Sequence, residues 1–70
     1  MKISARNTLA GHISRIDHGA VNTEVAIALS DGTEIVSIIT RHSAERLNLA
    51  PGAKAYAVIK ASDVMLGVDD

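Results

Sequence analysis

The chain has 70 residues, an apolar fraction of 47%, a formal charge of −1, no Cys, Trp or Phe, and Tyr56 as its only aromatic ring. That length allows one domain, residues 1–70, which nets roughly 3–5 kcal/mol from its own core unless disulfides, a metal or partner chains add to it. No apolar run approaches the roughly 20 residues needed to span a bilayer, and the charge balance lacks the basic excess of proteins that live on nucleic acid.

Met1-Lys2-Ile3-Ser4 carries no signal-like apolar stretch, so a cytoplasmic protein is expected. The sequence predicts neither a membrane nor a nucleic-acid partner. With no disulfide available and a core of Val, Ile, Leu and Ala alone, oligomerisation is the first structural expectation.

In chain order, Leu9, Gly11 and Ile13 share one parity and Ile16 has the other, which a bulge near Ser14-Arg15 reconciles. His18-Gly19-Ala20 is a turn. Val21, Thr23, Val25, Ile27 and Leu29 then alternate with smaller or polar residues, the period-2 pattern of a half-buried strand. Asp31-Gly32 predicts a two-residue hairpin turn, and Thr33–Thr40 the returning strand. Arg41–Leu47 suits a short helix with Thr40 or Ser43 as N-cap, stopped at Ala50-Pro51-Gly52. Ala53–Ile59 reads as a fourth strand and Val64–Val68 as a short fifth. The expected fold is all-β: a five-stranded OB-like Greek-key barrel with one short helix between strands 3 and 4.

No catalytic motif is present. There is no G-x-S-x-G, no Walker sequence and no G-x-G-x-x-G. His12, His18 and His42 lack the Cys or acidic companions of a metal site, and they read as exposed or edge-strand residues. The sequence therefore predicts neither an enzyme nor a catalytic cofactor. An OB-like barrel raises the possibility of nucleic-acid binding, but stacking platforms and a basic groove are both missing.

Three polar corners stand out: Ser4-Ala5-Arg6-Asn7 before the first strand, Thr40-Arg41-His42-Ser43, and Lys60-Ala61-Ser62. Taken singly, each has a plain structural reading as a terminal turn, a helix cap or a strand end. Together they offer hydroxyls, cations and backbone N–H groups with very few carboxylates, the donor set that suits a fully deprotonated oxyanion.

On these residues the chain resembles a known family. SARN at Ser4–Asn7, Gly11, the hydroxyl pair Thr40 and Ser43, and AVIKASDVM at Ala57–Met65 are similar to the molbindins, small molybdate-binding proteins built from one Mop (TOBE-type) domain. The resemblance spans essentially the whole chain. It implies a hexamer built as a trimer of dimers, with molybdate or tungstate held as an oxyanion at subunit interfaces and no direct protein ligand to the metal. Position by position, Ser4, Arg6 and Lys60 match the oxyanion-contacting residues, and Thr40 and Ser43 the hydroxyl positions used with them. Ala5 and Asn7 fall within the motif as backbone or amide donors, and Ser62 is a weaker match. A second class of site is expected near a turn such as Gly19–Val21. Arg41, His42 and Ala10 depart from the family pattern. The expected role is storage of the ion without turnover, by a stand-alone protein. The alternative is a TOBE-like protein–protein interaction module of a molybdate transporter or regulator that binds no ion itself.

Overall fold

The computed structural model describes all 70 residues, Met1–Asp70. Four strands form one antiparallel sheet: β1 (Asn7–His18), β2 (Asn22–Ala28), β3 (Glu34–Thr40) and β4 (Lys54–Ile59), in the order β3-β2-β1-β4. A helix, α1 (Arg41–Arg46), follows β3, and a 3-10 turn, Ala61–Asp63, follows β4.

β1 serves two ladders. Its first half pairs with β4, from Asn7↔Ile59 to His12↔Lys54, and its second half pairs with β2, from His12↔Ala28 to His18↔Thr23. The strand must therefore bend where the ladders overlap, and the sequence supplies two devices there. The expected bulge is present: Ile13 faces Ile27 but Arg15 faces Ala26, leaving Ser14 as the extra residue. Its single hydroxyl proton has two acceptors in reach, the Glu34 carboxylate at 2.8 Å and the Ala26 carbonyl at 3.2 Å. Gly11 is the second device. A Cβ there would collide with the Ala28 carbonyl oxygen and sit 2.8 Å from Ile27 Cγ2, so the backbones approach only because the side chain is absent.

The inner face follows the expected alternation. Ile13, Val25, Ile27 and Ala57 form the buried cluster, with Ile16, Leu29, Ile35, Ile39 and Leu49 packed against it. Thr23 is completely buried within this face, and its hydroxyl is satisfied by His18 Nδ1 at 2.9 Å. α1 is capped by Thr40, one of the two expected N-caps, and is followed by Asn48 in the left-handed region at φ 53°.

Two expectations are corrected. The hairpin loop has three residues rather than two: Leu29 N–H donates to Thr33 O at 2.8 Å and Gly32 N–H to Leu29 O at 3.0 Å, with Gly32 at φ 88°. This is a turn closed by a left-handed glycine, which places Gly one position later than the two-residue loop does. The Asp31 carboxylate accepts from Thr33 N–H at 2.9 Å, which holds it below the ordinary carboxylate range.

The fifth strand does not form. Val64 leaves the 3-10 turn extended, but the residues after it pair with nothing. Met65, Leu66 and Val68 are almost fully exposed. A strand exists only where a neighbouring ladder accepts its backbone groups, and the chain's own sheet ends at β3 and β4 without enclosing this tail. The result is a curled four-stranded sheet, not a five-stranded barrel complete within one chain. An apolar groove of about 460 Å³, lined by Ile35, Val36, Tyr56, Val58 and Ile59 among others, runs between the β3 and β4 residues.

The surface budget shows the same incompleteness. A 7.3 kDa globule exposes about 4,200 Å², whereas this chain exposes 5523 Å². Its radius of gyration is 13.0 Å, against about 11 Å for a compact chain of this length.

Gly11→Ala should destabilise the protein by about 1–3 kcal/mol, the usual cost of overpacking. Gly32→Ala has open space for its methyl group and should cost about 1 kcal/mol through backbone strain alone. Urea denaturation of both variants at one protein concentration checks the ranking.

Candidate functional site

The Asn7↔Ile59 pair is the last rung of the β1–β4 ladder. Ser4-Ala5-Arg6 enters the sheet at that rung and Lys60-Ala61-Ser62 leaves it, so two segments remote in sequence emerge side by side. The 3-10 turn, with Asp63 N–H donating to Lys60 O at 2.9 Å, folds the chain back just after Lys60. Ile3, Ser4, Ala5, Arg6, Lys60, Ala61 and Ser62 line one open pocket. Five of the eight site residues expected from sequence, Ser4, Ala5, Arg6, Lys60 and Ser62, are thus brought together. Ile3 and Ala61 were not singled out in the sequence; only their adjacency to the motif could have drawn attention to them.

The pocket offers two cations and two hydroxyls, with no carboxylate and no aromatic ring in its lining. Neither Arg6 nor Lys60 is in an ion pair. The chain's two salt bridges lie elsewhere, Arg15–Glu24 at 2.7 Å and Arg41–Glu45 at 3.7 Å. Hydrogen bonding and charge from Glu24 raise the Arg15 pKa further, so that cation already has its counterion. Arg6 and Lys60 are exposed in the single chain, and water reaches both.

Asn7 does not line this pocket. It is half-buried on the ladder, and its amide Nδ2 donates to the Ile59 carbonyl at 3.3 Å. Thr40 and Ser43 are not in the pocket either. Thr40 pairs with Asn22 at the far end of β2, next to the His18↔Thr23 rung. It therefore lies toward the opposite end of β1 from Asn7. Thr40 Oγ1 accepts from Ser43 N–H at 3.0 Å and donates to Ser43 Oγ at 2.9 Å, which caps α1. Beside this cap, Arg41 N–H donates to Val21 O at 2.8 Å and the Arg41 guanidinium to Gly19 O at 3.5 Å. The Gly19–Val21 turn and the Thr40–Ser43 cap thus form a second polar corner, separate from the first. No group of three or more His, Cys, Asp or Glu residues converges anywhere as a metal site.

A TOBE domain family model matches residues 3–66. The chain belongs to the TOBE-domain family, among its molybdenum-pterin-binding (Mop) proteins. Molybdenum-pterin-binding protein MopA of Rhodobacter capsulatus is 50% identical over 94% of this chain, which spans 25% of that longer protein. Molybdenum-pterin-binding protein 1 of Clostridium pasteurianum is 42% identical, and the match covers 94% of this chain and 97% of that one. Among solved structures, the cytoplasmic molybdate-binding protein ModG, with molybdate bound, superposes with a TM-score of 0.94 at 54% identity. The match covers 99% of this chain and 49% of ModG. The Mop domain described here thus shares its sequence with proteins named for molybdenum-pterin binding, and both its sequence and its curled-sheet architecture with one named for molybdate binding.

Because Thr40 caps α1, Thr40→Ala in the ion-free Mop domain should cost about 1 kcal/mol of stability. Denaturation with no oxyanion present measures that cost apart from any role in binding.

Proposed function

We propose that this Mop domain binds molybdate, and tungstate with it, as an intact oxyanion between Ser4–Arg6 and Lys60–Ser62. It acts as a cytoplasmic store and catalyses nothing. The observation that carries the reading is a pocket holding two unpaired cations and no carboxylate. At an effective dielectric of about 20, each full charge 4 Å from a unit of anionic charge gains roughly 4 kcal/mol before desolvation. Ser4, Ser62 and nearby backbone N–H groups add neutral donors. A site without a carboxylate offers the proton of hydrogen phosphate only the weak acceptors of the Ser hydroxyls, which favours a fully deprotonated oxyanion. Sulfate has no such proton, so discrimination against it rests on size. The absence of an aromatic ring from the pocket favours the bare oxyanion over a stacked pterin.

The site is completed by other copies of the chain, in a hexamer arranged as a trimer of dimers with the dimer as its smallest unit. The number six and its arrangement rest on the resemblance to the molbindins; three features support association of copies. Arg6 and Lys60 stay open to water in the single chain, which weakens any hold on a dianion. The chain exposes about 1,300 Å² more than a compact globule of its mass, enough for a standard interface of about 800 Å² per partner. The unpaired apolar tail, residues 64–68, and the β3–β4 groove are both apolar and lack a cover within the chain. Thr40 and Ser43 lie at the far end of β1, so any part they take in the same ion's shell comes from a neighbouring subunit.

Titration calorimetry with molybdate, tungstate, sulfate and phosphate tests the binding; no preference for molybdate over sulfate would remove the proposal. Lys60→Ala should lower molybdate affinity by about 30-fold to several thousand-fold, the loss typical of truncating one partner of a buried charge pair. Arg6→Ala should lose at least as much, because a guanidinium can donate two parallel bonds. Arg15→Ala and Lys54→Ala should change little: Arg15 is held by Glu24, and the Lys54 ammonium lies 5.4 Å from the Tyr56 ring centroid.

For assembly, light scattering at micromolar concentration should give a mass well above 7.3 kDa. Deleting residues 64–70 should lower it. A folded monomer would contradict the interface.

A further inference from the structure

We infer that Asn7 is a positioning residue for the oxyanion pocket, acting through Lys60 rather than touching the ion; the inference rests on the binding proposed above. Its Nδ2 bond to Ile59 O is the only side-chain hydrogen bond joining the N-terminal limb of the pocket to the C-terminal one. No backbone hydrogen bond links residues 1–6 to residues 60–70. Beyond the Asn7↔Ile59 rung, no other hydrogen bond joins the two limbs.

The atoms involved explain the leverage. The Ile59 carbonyl belongs to the same rigid peptide plane as Lys60 N and Cα. Fixing that oxygen fixes the plane from which the Lys60 side chain projects. Asn7 itself follows Arg6 directly, so one hydrogen bond spans the peptide units next to both cations. Those cations repel when no anion lies between them, and the repulsion acts at a ladder end, where strands open most readily. The Asn7 amide opposes that opening and keeps the pocket assembled before the ion arrives.

Residue type points the same way. Asn is depleted in strands, where β-branched residues are preferred. An Asn on the last rung weakens the strand unless its amide is used, and here it is used across the ladder.

The test is a double-mutant cycle read by molybdate titration, with Asn7→Val and Asn7→Ala in the wild-type and Lys60→Ala backgrounds. Asn7→Val removes the amide but favours the strand, so folding is secured. Each Asn7 variant should lose roughly 10-fold in affinity, the scale of lost support behind a ligating group. In the Lys60→Ala background the loss should shrink to under about 2-fold, because the group being positioned is gone. An equal loss in both backgrounds would make Asn7 a direct ligand, and unchanged affinity in Asn7→Val would make it a mere strand residue; either result overturns the inference.

Amide hydrogen exchange on ion-free protein gives the second readout. Both Asn7 variants should exchange faster at residues 7 and 59–60 and unchanged at Ile13 and Ile27. Unaltered exchange at the ladder end also overturns the inference. Because this measurement needs no ligand, it decides whether Asn7 holds the ladder end separately from whether the wild-type chain takes up molybdate, and failure of that uptake would sink the binding proposal and the positioning role with it.

Discussion

The structure depends on one strand being shared. β1 pairs with β4 along its first half and with β2 along its second, and the two ladders overlap only around His12 and Ile13. Such a strand must turn sharply while keeping its inward parity. The missing side chain at Gly11 and the extra residue at Ser14 make this possible within four positions. Without that bend the sheet would stay open and flat, and Val25 and Ile27 of β2 would not meet Ala57 of β4 in one cluster. The pocket is a by-product of the same geometry. Its two limbs meet because β1 and β4 run antiparallel and end on the same rung.

Much of this was legible in the sequence because local rules governed it. Strict alternation marked β2, the parity break between Ile13 and Ile16 required a bulge, Thr40 was a plausible cap, and Ala50-Pro51-Gly52 was a stop. The hairpin loop was harder. Asp-Gly suits two-residue and three-residue loops alike, and the choice depends on which rung closes the ladder. The fifth strand was illegible for a deeper reason. Val64–Val68 has strand-like residues, but strand formation is a property of a pair, and no strand of this chain's sheet pairs with it.

The candidate site divides along the same line. Ser4, Arg6, Lys60 and Ser62 could be grouped from their chemistry, and the β1–β4 register does bring them together. Thr40 and Ser43 offer equally suitable hydroxyls, yet β3 delivers them to the other end of the sheet, where they hold a helix. Donor chemistry can be read from residue types, whereas proximity depends on register. Asn7 illustrates the distinction within a single motif: it is flanked by a cation that lines the pocket, while its own amide turns to the ladder.

One further consequence concerns temperature. The chain leaves no buried side-chain polar atom without a partner, so what it leaves unsatisfied is apolar cover. It includes Val36, Ile38, Tyr56, Val58 and the 64–68 tail, with Met1, Val21 and Leu47 elsewhere on the surface. Association that dehydrates such a surface carries a large negative change in heat capacity. Its driving force fades on cooling, because the hydration entropy behind it diminishes. Any association of copies through this face would therefore loosen on cooling.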